Sequence, residues 1–159
     1  VRLNNQQNFI FTLVIAMSLR VAPFPHLLAV INPDWVLLGL IYWTIRLPYR
    51  TGVFTAWLVG LFTDVLMGRT LGEYALIYAV LNYFTITGHK RLRQYPLIQQ
   101  SVYVFGCLLF AQLLVFLLES MQSPTRFSFL HWLPVFTGTI LWTAVYKGLR
   151  FLAQFESPK

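Results

Sequence analysis

The sequence predicts an all-α membrane protein, a six-helix transmembrane bundle that forms a single transmembrane domain over residues 1–159. Three observations point there. Apolar residues make up 57% of the chain and charged residues only 11%, where soluble domains carry roughly 25% charged. A single globule of 159 residues keeps too much surface exposed to hide such a set of side chains, so their solvent is lipid. Aromatic residues account for 17%, with five tryptophans, as suits a chain that crosses two lipid–water interfaces. Apolar runs recur along the whole length, separated by breaks at 23–25, 46–50, 68–72, 88–96 and 120–128.

Those breaks leave helices at about 8–22, 33–47, 52–67, 72–87, 96–118 and 130–146. All but the fifth are shorter than the roughly 20 residues that a straight span needs. A helix of about 15 residues reaches only about 22 Å, against a hydrocarbon core near 30 Å. Either the fold thins the bilayer locally or some helices are partly buried inside the bundle. A re-entrant hairpin that fuses the first two runs, leaving four full spans, is the alternative topology.

The first run has no small-x-small cleavage site behind it, and comparable runs follow, so it is expected to be retained as a helix. The second has a defined start. Asn32 is placed to cap it, Pro33 fits the first helical position and Asp34 complements the positive end of the dipole; Pro48 marks the far end.

The third run is the most informative. Gly52, Ala56, Gly60, Asp64 and Gly68 recur every four residues, and such steps differ by only about 40° around a helix, so they form a gently winding stripe. Small side chains let backbones approach closely, the main packing device where lipid removes the hydrophobic drive. The fourth run carries Gly72, Ala75, Ala79 and Asn82 on a second narrow face. These two helices are expected to pack tightly across the turn at 68–72. Asp64 lies one turn inside its helix end, and an intramembrane carboxylate faces the bundle with a partner, for which Arg69 and Arg20 are the candidates. A proton relay or ion site would show several acids at depth. Here Asn82 and Gln112 are the other strongly polar groups well inside a span, so Asp64 reads as an anchor for the outer loop.

Between the fourth and fifth runs lies a basic loop with Lys90, Arg91 and Arg93. Its plain role is to fix orientation and rest on anionic lipid; a sharper one is docking of an acidic cytoplasmic partner. Cys107 sits in the fifth run with no second cysteine to pair with and reads as an inert core residue.

Orientation follows from counting cations. With a cytoplasmic N-terminus and six spans, the inner side holds Arg2, Arg46, Arg50, Lys90, Arg91, Arg93, Lys147, Arg150 and Lys159, and the outer side Arg20, Arg69 and Arg126. That is 9 against 3 of the 12, the bias expected when both termini are cytoplasmic. Asp34, Asp64, Glu73 and Glu119 fall toward the outer half.

The net charge of +7 does not imply nucleic acid, because the cations lie between apolar runs rather than along one face. His26, His89 and His131 lack metal-ligand spacing. No nucleophile elbow, phosphate-cradling loop or Ser-His-Asp arrangement is present, so neither an enzyme nor a bound cofactor is expected. Trp35, Tyr42, Trp43, Tyr49, Trp132 and Trp142 fall mostly near the predicted interfaces, and belt anchoring explains them better than a cofactor box.

A series of motifs carries a resemblance. Asn32-Pro33-Asp34-Trp35-Val36-Leu37-Leu38, then Tyr42-Trp43, then Leu47-Pro48-Tyr49-Arg50, then Gly60-Leu61-Phe62-Thr63-Asp64-Val65-Leu66-Met67-Gly68-Arg69-Thr70-Leu71-Gly72, resembles the MreD family of rod shape-determining proteins. The ordered match runs from Pro23 to about Tyr83, with 60–72 its most specific piece; the second half is similar mainly in pattern. The resemblance implies a multi-pass component of the cell inner membrane in the elongation machinery. Members of that family associate with MreC, a single-span protein with a periplasmic domain, and with it connect the filament protein MreB to the peptidoglycan polymerase RodA and its partner transpeptidase. It also implies a fold similar to the substrate-binding subunits of energy-coupling-factor transporters. Two functions follow as expectations: a non-enzymatic scaffold needed for rod shape and lateral peptidoglycan synthesis, or a small-molecule or lipid-binding subunit of a membrane transporter. An enclosed pocket with convergent polar groups would mark the second.

Overall fold

The computed structural model describes residues 5–124 and 126–154. Seven helices follow one another among them: α1 (Asn5–Val21), α2 (His26–Val30), α3 (Trp35–Arg46), α4 (Val53–Met67), α5 (Glu73–Gln94), α6 (Leu97–Gln122) and α7 (Leu133–Gln154), the last preceded by a 3₁₀ turn at Phe129–Trp132. No strand occurs among the described residues. One helix, α6, is long and apolar enough to cross a bilayer by itself; α3 and α4 are shorter apolar helices.

α3 is the axis of the bundle. Every residue from Val36 to Ile45 is buried, so the helix is apolar all round and enclosed by its neighbours. α1 lies antiparallel to it: Phe9 meets Trp43 edge-on with centroids 6.0 Å apart, while Arg20 at the other end reaches Asp34. α5 crosses the opposite side, α4 packs on α5, and α6 with α7 closes the remaining face. In that last pair Phe105 meets Phe136 at 5.7 Å and Phe116 meets Trp132 at 6.4 Å, which sets the two helices antiparallel.

Several boundaries differ from the sequence reading. The segment around Lys90, Arg91 and Arg93 is not a loop; it forms the last two turns of α5. Gly88 is a lone glycine, costing about 1 kcal/mol in a helix, and the residues after it are good helix formers. The stop comes only at Tyr95, which the ring of Pro96 holds in extended backbone. Leu92 also gains a buried position on the extra turns. α7 is helical as far as Gln154, the last described residue, beyond the expected 146. The break at 23–25 is followed by a turn of helix, α2, that the sequence reading omitted. The second helix starts at Trp35 rather than at Pro33, because Asp34, not Asn32, is the cap: its Oδ1 accepts the Leu37 N–H at 3.1 Å. Asn32 instead accepts the Trp35 indole N–H at 2.7 Å.

Candidate functional site

The described carboxylates gather at one end of the bundle, where α1, α4 and α6 finish and α3, α5 and α7 begin. Asp64 is built into it first. Its carboxylate is completely buried and accepts backbone N–H groups at the start of α5: Oδ1 from Tyr74 at 2.8 Å, Oδ2 from Gly72 at 2.9 Å and from Ala75 at 3.4 Å. The first amides of a helix have no partner within it and carry the positive end of its dipole, so an anion there answers both needs. The sequence reading named Arg69 and Arg20 as partners for Asp64; the structure corrects this. The partner is the backbone of the neighbouring helix.

Gly60, one turn earlier on the same face of α4, explains how the carboxylate reaches that far. A Cβ at this position would stand 2.4 Å from the Ala75 Cα and 2.6 Å from the Tyr74 carbonyl oxygen, so the helices touch backbone to backbone. Ala56 and Ala75 are fully buried and Ala79 half-buried. The rest of the expected stripe is not packing surface. A side chain at Gly52, Gly68 or Gly72 would meet nothing within 4 Å. Gly68 and Gly72 serve the turn instead: they adopt φ of +61° and +103°, conformations open to glycine and strained for other residues. A close approach that the sequence reading missed lies at Gly138 on α7, where a Cβ would stand 2.7 Å from the Leu108 Cδ1 and 3.3 Å from the Pro33 Cβ.

Arg20 pairs with Asp34, which is at once the cap of α3 and the acceptor for the Tyr78 hydroxyl at 2.9 Å. One carboxylate thus ties α1, α3 and α5. The Arg20 guanidinium also lies over the Tyr74 ring, 4.6 Å from its centroid. Arg69, in the turn after α4, pairs with Glu73 at 3.3 Å and with Glu119 near the end of α6. Burial works against the Arg69 charge, but Tyr74, Glu119 and Glu73 outweigh it and raise its pKa above the ordinary guanidinium value. Asn82 lies deeper: its amide accepts from the Thr44 hydroxyl and donates to the Thr51 carbonyl at 2.9 Å, linking α5 to α3 and to the turn beyond it. Lys90 and Arg91 are exposed at the opposite end, where Arg93 donates to the carbonyls of Ile45 and Arg46.

Beside the charged cluster a cavity of about 530 Å³ opens among α1, α2, α6 and α7, its polar lining drawn from Arg20, Asn32, Asp34, Arg69, Gln112 and His131. Arg20 Nε and His131 Nε2 have no hydrogen-bond partner among the described residues. The sequence reading offered Glu73 and Glu119, with Arg20, Asp64 and Arg126, as polar groups near the outer face, and missed Tyr78 and His131. Tyr78 lies on α5, four residues from Asn82, and His131 in the turn before α7, far along the chain from the others. Among the described residues no three His, Cys, Asp or Glu side chains gather as metal ligands. The arrangement holds helices together and borders a hollow whose lining is mostly apolar; among the described residues no nucleophile with an adjacent base stands in it.

Comparison with known proteins fits this architecture to a family. The profile of the rod shape-determining protein MreD matches residues 3–152. The rod shape-determining protein MreD of Haemophilus influenzae is 33% identical over 140 residues, covering 86% of this chain and 85% of that protein. No solved structure matches. The chain therefore belongs to the MreD family, membrane proteins that determine rod shape and are not known as enzymes.

Proposed function

We propose that the chain is a non-enzymatic scaffold of the bacterial cell-elongation complex, a multi-pass protein of the inner membrane with both termini in the cytoplasm. It binds MreC directly and, with it, works beside MreB, RodA and RodA's partner transpeptidase in lateral peptidoglycan synthesis. The family match along residues 3–152 carries this reading. The geometry supports it in one respect. The charged side chains at the polar end are largely engaged with one another or with backbone, which rigidifies a bundle and leaves no reactive pair. A rigid bundle with little mass outside the helices suits holding partners: lipid-facing helices for the MreC span, outer loops for its periplasmic part.

The test is co-purification of MreC with Gly60→Leu and Asp64→Ala chains, alongside cell shape. Both variants are expected to retain less MreC and to give rounded cells. MreC recovered at wild-type levels with each variant, in cells that stay rods, would remove these residues from the scaffold role.

The cavity of about 530 Å³ favours a second reading, a small-molecule or lipid-binding subunit of a membrane transporter, and such a role would accord with a fold like that of energy-coupling-factor substrate-binding subunits. A small molecule retained through purification and lost in Arg20→Gln would support it. Unchanged retention of MreC with a cavity-filling Ala111→Phe variant would count for the scaffold.

A further inference from the structure

The end of the bundle opposite the acids carries charge of one sign. Two cavities, of about 380 and 510 Å³, lie side by side there and share Arg46 and Arg93 in their walls; Arg50 and Lys90 complete the first, Tyr146 and Arg150 the second. Among the described residues none of these cations has a carboxylate partner. The described acids, Asp34, Asp64, Glu73 and Glu119, are all engaged at the far end. What holds the guanidinia in place is neutral: Arg93 grips the Ile45 carbonyl at 2.7 Å and the Arg46 carbonyl at 2.9 Å, and Arg46 donates to the Tyr42 hydroxyl at 2.9 Å. Tyr42 in turn packs edge-on against Tyr146, 5.6 Å away, which fixes α3 beside α7. The result is a cleft of oriented donors with surplus positive charge, most of whose N–H groups meet no acceptor among the described residues.

We propose that this cleft binds a phosphate ester, presented by an anionic phospholipid of the adjoining leaflet. A guanidinium fork matches two phosphate oxygens, and several forks around one hollow accept a diester without requiring its full dehydration. The flanks choose the lipid over an acidic peptide. Tyr49 at the rim is 97% exposed, and Tyr95, Phe151 and Leu152 beside the ends of α5 and α7 are exposed as well. An acidic peptide would answer the charges and leave this apolar border in water, whereas a lipid answers both, with its headgroup in the cleft and its chains along the helices. The lipid source rests on the membrane reading above; the phosphate chemistry does not.

The test uses the full chain in nanodiscs of phosphatidylcholine carrying a small fraction of spin-labelled phosphatidylglycerol or spin-labelled phosphatidylcholine. The immobilised fraction should favour phosphatidylglycerol by about tenfold, since each cation near the surface contributes on the order of 1 kcal/mol of attraction. That preference should fall toward unity in the Arg46→Gln/Arg150→Gln chain and persist in Arg126→Gln. In the unaltered chain it should weaken as salt rises, a reading that needs no variant to fold. Equal immobilisation of the two lipids, or a preference that survives Arg46→Gln/Arg150→Gln, overturns the proposal. So does displacement of the lipid by inorganic phosphate at millimolar concentration, which would assign the cleft to a free phosphate, or by a hexaglutamate peptide, which would assign it to an acidic protein. Failure of the membrane reading would show separately, as a chain that stays monodisperse without detergent.

Discussion

Asp64 is a fully buried and Asp34 a largely buried carboxylate, each at a helix boundary, yet they are held by different chemistry. Asp64 has backbone amides and no cation; Asp34 has an arginine, a tyrosine hydroxyl and an amide. Their substitutions should therefore differ. Asp64→Ala strands the opening amides of α5 without acceptors in a buried place, at a cost of about 2 kcal/mol or more. Asp64→Asn keeps one acceptor oxygen and should lose less than half as much. Asp34→Ala leaves Arg20 charged and unpaired, which for a buried pair costs about 3–5 kcal/mol, and Arg20→Met/Asp34→Leu should recover much of that loss. Thermal unfolding in detergent, followed by tryptophan fluorescence, orders the four chains; an Asp64→Asn chain as unstable as Asp64→Ala would contradict the capping account. Asp64 stood out in the sequence because an acid in an apolar run needs a reason. Its partner did not, because a backbone amide has no letter in the sequence and becomes a partner only once α5 starts where it does. Arg20 and Arg69 drew notice as the nearest cations, and the fold spends both on other acids.

At the scale of elements, the pair α4–α5 turns on three kinds of glycine that the repeat at every fourth position made look alike. Gly60 is small because another backbone lies against it; Gly68 and Gly72 are glycine because φ is positive; Gly52 meets neither demand. Alanine at each position separates them. Gly60→Ala must push the helices apart and should cost about 1–3 kcal/mol, with Gly60→Leu worse. Gly68→Ala meets only the strain of its left-handed backbone, about 1–2 kcal/mol, and Gly52→Ala, at the N-cap of α4, should cost less, about 0.5 kcal/mol. Denaturation midpoints give the order, and a Gly52→Ala chain as unstable as Gly60→Ala would return the stripe to a single packing face. The apolar segments were legible because hydrophobicity marks them; the short helix α2 was not. The helix end at 94 was not legible, because an α-helix stops for a backbone reason and not where its side chains turn polar. The last turns of α5 show what that extension does: Arg93 reaches the final carbonyls of α3, which otherwise have no donor within their own helix. Removing it by Arg93→Ala should loosen the α3–α5 contact at that end, read as faster hydrogen exchange of the last α3 amides while the α4 amides stay protected.

Across the whole molecule the two ends differ in sign and in how their charges are satisfied. One end balances Arg20 and Arg69 against Asp34, Glu73 and Glu119 inside the bundle; the other gathers Arg46, Arg50, Lys90, Arg93 and Arg150 with no described carboxylate beside them. A balanced cluster crosses a membrane during insertion more readily than an unbalanced one, because its charges are compensated when buried, while uncompensated Lys and Arg stay on the side of synthesis. The cation-rich end is thus expected to face the cytoplasm, with the cavity beside Arg20 open to the outside. Single cysteines placed at Arg50, Lys90 and Arg126 in a Cys107→Ser chain test the direction in intact cells. A membrane-impermeant maleimide added outside should label position 126 and leave 50 and 90 unlabelled until the membrane is opened. Moving the imbalance should move the protein: Arg46→Gln, Arg50→Cys and Lys90→Gln together with Ser123→Lys and Ser128→Lys, in the Cys107→Ser chain, should yield a second population labelled at 50 from outside. If that chain instead keeps one orientation, the bias in cations follows the topology without setting it, and the internal pairing of the acidic end is the stronger determinant.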